Sequence, residues 1–395
     1  MKSVTIVGIG MGAETITAEG LRAVERAQAL LGAPRVLGAF PREDRPVYPA
    51  YAPDKVREIV EKSGLERFAV LVSGDTGFFS AAEGLAFALA AYDIRLIPGI
   101  PSIAYFFARL KRPWQEAAIL SCHGRAANFT DAVRRNRLTF ALTGGNVDAL
   151  ARSLADAGLG GLAATVGEKL GTEGERIFTL PVGELARTPV GKLAVLLVEN
   201  PDADARVRFG IPDEAFLRGD APMTKAEVRA VSMSRLAPDP GAICCDIGAG
   251  TGSVTVEMAL AAYAGHVYAV DQKEEAVSLI AENCRRFHIG NVTPILGGAP
   301  EALEELPPLD AAFIGGSGGA MAGIFEAILS KNPSARVVVN AVALETLNAA
   351  LAAFKAHGIA PEIIQLGAAR AKNAGGLNMM LAQNPVFILS GGGKS

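Results

Sequence analysis

The sequence predicts an α/β protein built as two successive sheet-and-helix domains, and three observations carry that expectation. Short β-branched or apolar runs alternate with helical segments along most of the chain, which implies largely parallel sheets. One stretch without sustained period, ENPDADARVRFGIPDEAFLRGDAPMTK at 199–225, interrupts the alternation. Glycine is abundant, with 44 in 395 residues, as tight strand-to-helix turns require. The interruption separates domains at 1–205 and 211–395, each long enough to close its own core.

In the first domain the expected strands are VTIVGIG, FAVLVSGD, IRLIPGI, EAAILSCHG, RLTFALTGG and KLAVLLVEN, most of them ending in glycine or a polar turn. Between the first two, TAEGLRAVERAQALLG places Leu21, Val24, Ala27 and Leu31 on one helical face, with Gly32 as C-cap. In the second domain the strands are AICCDIG, HVYAVD, VTPILGG, LDAAFIGG and ARVVVNAV. The closing segments PEIIQLGAAR and GLNMMLAQNPVFILSG leave little room for a helix, so an antiparallel hairpin should finish an otherwise parallel sheet. The last residues, GGGKS, read as a tail.

Composition narrows the function. The 38 basic and 41 acidic residues form no block of one sign, which argues against nucleic acid as a main partner while allowing a small anionic substrate. No uncharged apolar stretch reaches the ~18 residues of a membrane helix, and MKSVTIVGIGMGAE meets Glu14 too early for a signal peptide. A soluble cytoplasmic protein is expected. Cys122, Cys244, Cys245 and Cys284 show no metal-binding spacing and read as reduced thiols, so no metal is expected.

The chemistry concentrates in DIGAGTG. Gly248, Gly250 and Gly252 permit positive φ and let the backbone approach a ligand closely. The following segment, SVTVEMALAAY, presents free amides at a helix start. Asp271, 19 residues beyond Gly252, stands where a carboxylate accepts from both ribose hydroxyls of an adenosine. A dinucleotide and S-adenosylmethionine both fit that description. The glycine spacing is GxGxG, however, and Asp246 precedes the first glycine by two residues. An acid there suits an ammonium and a sulfonium and repels a pyrophosphate, which favours S-adenosylmethionine over NAD. Methyl transfer from a sulfonium relies mainly on positioning in a desolvated pocket, so no catalytic acid or base is assigned. Gly315 and Gly316 of IGGSGG follow the fourth strand, where acceptors sit in open α/β sheets.

The first domain has its own ordered turns: GIGMG (Gly8, Gly10, Gly12), SGDTGFF (73–79) and PGIPS (98–102). Together they resemble the tetrapyrrole methylase family, and ARLKRPW, SCHGR and VGEKLGTEGERI look like its branch acting on carbon 5 of a corrin ring. IPDEAFLRGDAPMTKAEVRA followed by DIGAGTGS is similar to the family that methylates carbon 15 of the same ring and decarboxylates its ring-C acetate.

The resemblance covers nearly the whole chain. It implies a tetrapyrrole methylase-like domain followed by a Rossmann-like S-adenosylmethionine methyltransferase fold. The implied reaction is methylation of precorrin-6B at carbons 5 and 15 with loss of carbon dioxide, giving precorrin-8 in cobalamin biosynthesis; the alternatives are the cobalt-containing equivalent and, in another class, an NAD-dependent oxidoreductase. It further implies two S-adenosylmethionine sites. One lies around Gly10, Gly74, Asp75, Phe78, Ser102 and Thr143; the other uses Thr224, Gly248, Gly250, Thr251, Gly252, Asp271, Gly298 and Ala299. For the many-carboxylate substrate, expected contacts are His123, Arg229, Gly315, Gly316 and Arg370, with Arg218, Lys225 and Lys372 flanking the second site. A homo-oligomer is implied. Thr76 and Pro101 depart from the family, where proline and serine are usual.

Overall fold

The computed structural model describes residues 2–40, 44–122 and 128–393. Contacts divide the chain into two compact units. The first comprises Met1–Arg125, Leu138–Ala149 and Ala163–Glu199; the second comprises Ala126–Arg137, Leu150–Leu162 and Asn200–Ser395.

The first unit holds two sheets. Strands β1 (Ser3–Gly8), β2 (Ala29–Gly32), β3 (Val47–Tyr48), β4 (Arg67–Val72) and β5 (Asp93–Ile97) are all parallel, in the order β3-β2-β4-β1-β5. The helix Ala18–Arg26 starts at Thr17, whose hydroxyl accepts from the Gly20 amide. It ends before Ala27, and Ala29–Gly32 turns into β2. This corrects the expectation of one helix reaching Gly32. Leu30 and Leu31 are fully buried, one on each face of the sheet, and a short apolar run covered on both sides carries no period that separates strand from helix.

The second sheet contains β6 (Ala118–Ser121), β7 (Leu138–Leu142), β8 (Ala163–Glu168), β9 (Arg176–Pro181) and β10 (Ala194–Glu199), in the order β6-β7-β10-β8-β9. Only β6 and β7 pair parallel; the other three pairs are antiparallel. The expected parallel arrangement fails here because the connection 169–175 is a short loop that returns β9 along β8, too short to hold a crossover helix.

The second unit is built on β11 (Ile243–Ile247), β12 (His266–Asp271), β13 (Val292–Leu296), β14 (Ala311–Ile314), β15 (Arg336–Ala341), β16 (Glu362–Leu366) and β19 (Val386–Gly391), in the order β13-β12-β11-β14-β15-β19-β16. The first five are parallel, and β19 runs antiparallel to both β15 and β16. The expected antiparallel finish is therefore present. The chain between β16 and β19 adds a separate hairpin, β17 (Ala369–Ala374) with β18 (Leu377–Ala382). All nine residues of the helix Ser253–Ala261 are buried, which accounts for its almost unbroken apolar sequence. The stretch without period is packed coil: Ile211, Phe216 and Ala221 are buried in this unit. Among the described residues, no helix is long and apolar enough to cross a membrane.

Candidate functional site

In the first unit the three glycine turns converge. Gly10 and Gly74 form an antiparallel bridge, with the Gly10 amide donating to Gly74 at 3.0 Å and the Gly74 amide donating to Gly10 at 2.8 Å. A Cβ on Gly99 would lie 2.2 Å from the Gly74 oxygen and 2.6 Å from the Gly8 oxygen, so only glycine lets these backbones approach. Asp75 clips the turns together, because its carboxylate accepts from the Gly77 amide at 2.7 Å and the Gly99 amide at 3.0 Å.

Above this junction lies a cavity of about 400 Å³ lined by Gly10, Gly74, Asp75, Phe78 and Ser102. Five of the six residues expected for the first donor site thus come together. Thr143 does not line the cavity. It is fully buried, and its hydroxyl donates to the Ala194 carbonyl at 2.8 Å, tying β7 to the start of β10. Met11, Arg35, Leu170 and Lys192 line the cavity without having been anticipated. No local pattern marks them, since they arrive from four separated segments. Pro101 caps the helix Ser102–Arg109 without a side-chain hydrogen bond. His123 lies outside the described residues.

In the second unit, Gly248, Gly250 and Gly252 all have positive φ, at 71°, 55° and 74°. A Cβ on Gly248 would lie 2.7 Å from the Gly316 amide, and one on Gly250 would lie 2.3 Å from the Pro222 oxygen. The glycine loop therefore touches both the IGGSGG turn and the PMTK segment. The Thr251 amide donates to Pro222, and the Gly315 amide donates to Ile247 at 2.9 Å. Asp271 accepts from the Gly250 amide at 2.9 Å and from the Lys273 amide at 3.0 Å. A cavity of about 160 Å³ is lined by Gly248, Asp271, Gln272, Ala299 and Gly316, among others. Gly250, Thr251, Gly252, Thr224, Gly298 and Gly315 do not line it. Gly298 leaves room for the Gln272 side chain, which a Cβ would meet at 3.0 Å.

Asp246 is fully buried beneath the loop. One carboxylate oxygen accepts from the Thr255 hydroxyl at 2.5 Å, and the other has no partner among the described residues. Burial pushes its pKa up to about 7, with the Asp271 charge adding to the rise. The buried Thr251 hydroxyl also lacks a partner. Buried polar atoms left unpaired are rare in folded proteins. Two of them beside a glycine cradle fit a ligand carrying an ammonium and hydroxyls, as S-adenosylmethionine does.

Two expected substrate contacts are corrected. The Arg229 side chain is fully buried and saturated: Nε donates to Glu257 at 2.7 Å, and the remaining nitrogens donate to Asp213, Thr224 and Ile211. Its plane also stacks 4.8 Å from the Phe216 ring. The partner Glu257 accepts from the Gly210 and Ile211 amides as well. Arg229 thus holds the PMTK segment against the core and offers nothing to a substrate. A lone acid in the apolar run SVTVEMALA was the available clue, because a buried carboxylate demands a cation. Arg370 is half-exposed but already paired, donating to both Glu227 oxygens at 2.7 Å and to Asp213 at 3.0 Å. These carboxylates hold its pKa well above the usual arginine range.

Of the other histidines, His266 sits on β12 and contacts Thr293 at 2.8 Å. Among the described residues no group of side chains is arranged to hold a metal ion.

A glycine-bridged cavity in one unit and a glycine loop with a strand-end acid in the other define an α/β methyltransferase with two candidate ligand crevices. Residues 3–186 match the Tetrapyrrole (Corrin/Porphyrin) Methylases, and residues 214–391 match the Precorrin methyltransferase domain. A precorrin-6Y C(5,15)-methyltransferase (decarboxylating) from a Sinorhizobium species is 35% identical over 344 residues, covering 84% of this chain and 81% of that one. A probable cobalt-precorrin-6B C(15)-methyltransferase (decarboxylating) from Pyrobaculum calidifontis is 42% identical over 184 residues, covering 46% of this chain and 94% of its own. The solved precorrin-6Y C5,15-methyltransferase from Geobacter metallireducens is 34% identical, covers 47% of this chain and 98% of its own, and superposes with a TM-score of 0.45. The chain belongs to the precorrin-6Y C(5,15)-methyltransferase (decarboxylating) family, S-adenosylmethionine-dependent enzymes of cobalamin synthesis.

Proposed function

We propose that this enzyme methylates precorrin-6B at carbons 5 and 15 and decarboxylates its ring-C acetate, yielding precorrin-8, with a separate donor site in each unit. The first unit acts on carbon 5; the second acts on carbon 15 and the acetate. The observation that carries this reading is that each unit assembles its own glycine-lined cavity from turns distant in sequence.

S-adenosylmethionine supplies an activated methyl group on its sulfonium. The chain's own residues orient and desolvate. In the first unit the Gly10–Gly74 bridge shapes the floor, Phe78 and Met11 supply apolar wall, and the Asp75 clip keeps the turns in place. In the second, the Asp246 oxygen without a partner faces positive charge and Asp271 receives the ribose hydroxyls. Gly315 and Gly316 let the acceptor ring approach the donor crevice. No side chain needs to carry the electrons released by decarboxylation, since the conjugated ring is itself the sink.

The decisive experiment incubates the full chain with S-adenosylmethionine and precorrin-6B and reads product mass. Two methyl groups gained and one carbon dioxide lost is the expected result. The same assay with a cobalt-containing ring separates the two routes. Gly99→Val should delete the carbon-5 methyl alone, and Gly248→Val the carbon-15 methyl together with the decarboxylation; a single variant that removes both methylations would contradict two donor sites. Self-association is part of the proposal, supported by the exposed Leu377, Met379, Met380 and Leu381 on the β17–β18 hairpin. The four free cysteines fit a reducing, cytoplasmic setting.

A further inference from the structure

The first unit's cavity carries positive charge that the fold does not use. Arg35 and Lys192 line it from separate elements, and both side chains are exposed. Neither makes an ion pair or a side-chain hydrogen bond among the described residues, unlike Arg45, Arg95, Arg109 and Arg112 elsewhere in the same unit. Asp75, the acid in the lining, already gives both oxygens to backbone amides.

Both cations stand on rigid ground. Arg35 belongs to the helix Pro34–Leu37, whose Val36 and Leu37 are buried. Lys192 is held at its backbone: the preceding Gly191 amide donates to Glu168 at 2.9 Å, and the following Ala194 carbonyl accepts from Thr143 at 2.8 Å. Gly145, at φ +84°, lets the Lys192 main chain pack within 3.4 Å of the position its Cβ would take. Two anchored stems with free charged tips are suited to reach peripheral carboxylates of a large flat ring while the donor occupies the glycine floor.

We propose that Arg35 and Lys192 are the specificity-determining residues of the carbon-5 site, binding acetate or propionate carboxylates at the rim of the macrocycle. This rests on the reading of the cavity as the carbon-5 site. The two cations select a polycarboxylate ring over an esterified or amidated one, and they act on substrate affinity without touching the reacting carbon.

The test uses the full-length enzyme and follows carbon-5 and carbon-15 methylation separately in the isolated product. Arg35→Gln and Lys192→Gln should each raise the KM for the corrin substrate in the carbon-5 step about fivefold, and together about twentyfold, the scale of partly exposed ion pairs. The carbon-5 kcat, the donor KM and the carbon-15 step should stay within twofold. Lys192→Arg should restore the KM, and Lys192→Glu should exceed the glutamine variant. Added salt should raise the wild-type KM more steeply than that of the double variant. If both glutamine variants keep the KM within twofold while Gly99→Val abolishes the carbon-5 methyl, the rim assignment is wrong and the cavity assignment stands. If Gly99→Val still methylates carbon 5, both are overturned.

Discussion

The two units each build a glycine-lined crevice, but they brace it differently. In the first, backbone meets backbone: three turns lock through the Gly10–Gly74 bridge and the close approach of Gly8, Gly74 and Gly99. In the second, the glycine loop also packs closely on Gly316 and Pro222, and charged side chains add to the hold. Asp271 ties the glycine loop to the strand end, and the buried Arg229–Glu257–Asp213 cluster fixes the PMTK segment beneath it. The first cavity is the larger and carries unpaired cations at its rim; the second is small, with unpaired buried oxygens below it. A ligand-binding turn can thus be stabilised by glycine geometry or by a buried ionic frame, and the two should fail differently.

The largest difference is expected in stability. Glu257→Ala leaves Arg229 buried beside a single carboxylate and frees two amides, a loss of about 3–5 kcal/mol for breaking a buried pair. Urea unfolding should show it, and hydrogen exchange should place it in the second unit while β1 and β4 keep their protection. A change in substrate KM without loss of stability would instead return Arg229 to the substrate.

Glycine substitutions come next and separate clash from strain. Gly248→Ala sets a Cβ 2.7 Å from the Gly316 amide at φ 71°, and donor affinity at the second site should fall about a hundredfold. Gly74→Ala has the same sign of φ but open space around its Cβ. It should lose only the strain of a left-handed non-glycine residue, about 1–2 kcal/mol, measured by calorimetric titration of the donor product.

A pH dependence of donor binding should appear at the second site. Asp246 has a folded pKa of about 7 against an ordinary 3.8. The folded state therefore binds its proton more tightly than the unfolded chain does. The stability it contributes is complete below about pH 4 and is lost as pH rises through about 7. Donor binding runs the other way, because the ammonium favours the ionised acid. Affinity at the second site should climb as pH rises toward about 7 and level off beyond it. Asp246→Asn should remove this contribution from both curves, and donor affinity at the first site should not follow it.

The smallest effect is expected for Arg370→Gln. The side chain is 40% exposed, so releasing Glu227 and Asp213 should lower stability by about 1 kcal/mol. A much larger effect on the substrate KM than on the melting temperature would show that Arg370 exchanges its carboxylate partners for those of the ring.

Much of the candidate site was legible in the chain. The turns GIGMG, SGDTG and PGIPS, and the DIGAGTG loop with Asp271, all sit at cavity floors or against them, because positive φ and close backbone approach are local demands that only glycine meets. Thr143 and Thr224, expected at the donor sites, line neither cavity: the Thr143 hydroxyl donates to the Ala194 carbonyl, and the Thr224 carbonyl accepts from Arg229. The errors arose where burial decides. AQALLG reads equally as helix or strand until its neighbours cover both faces, and the direction of β8, β9 and β10 depends on which strands pair.

The order of the two units, the turns that build each cavity and the acids beneath the second loop were set by residues adjacent in the chain. Tertiary structure alone decided which cations are spent and which are free. Arg370 meets Glu227 across 143 positions and Arg229 meets Glu257 across 28, whereas Arg35 and Lys192 meet no carboxylate among the described residues. A charge is available to a ligand only when folding brings no countercharge to it. That depends on solvation and on partners distant in sequence, which no local pattern encodes.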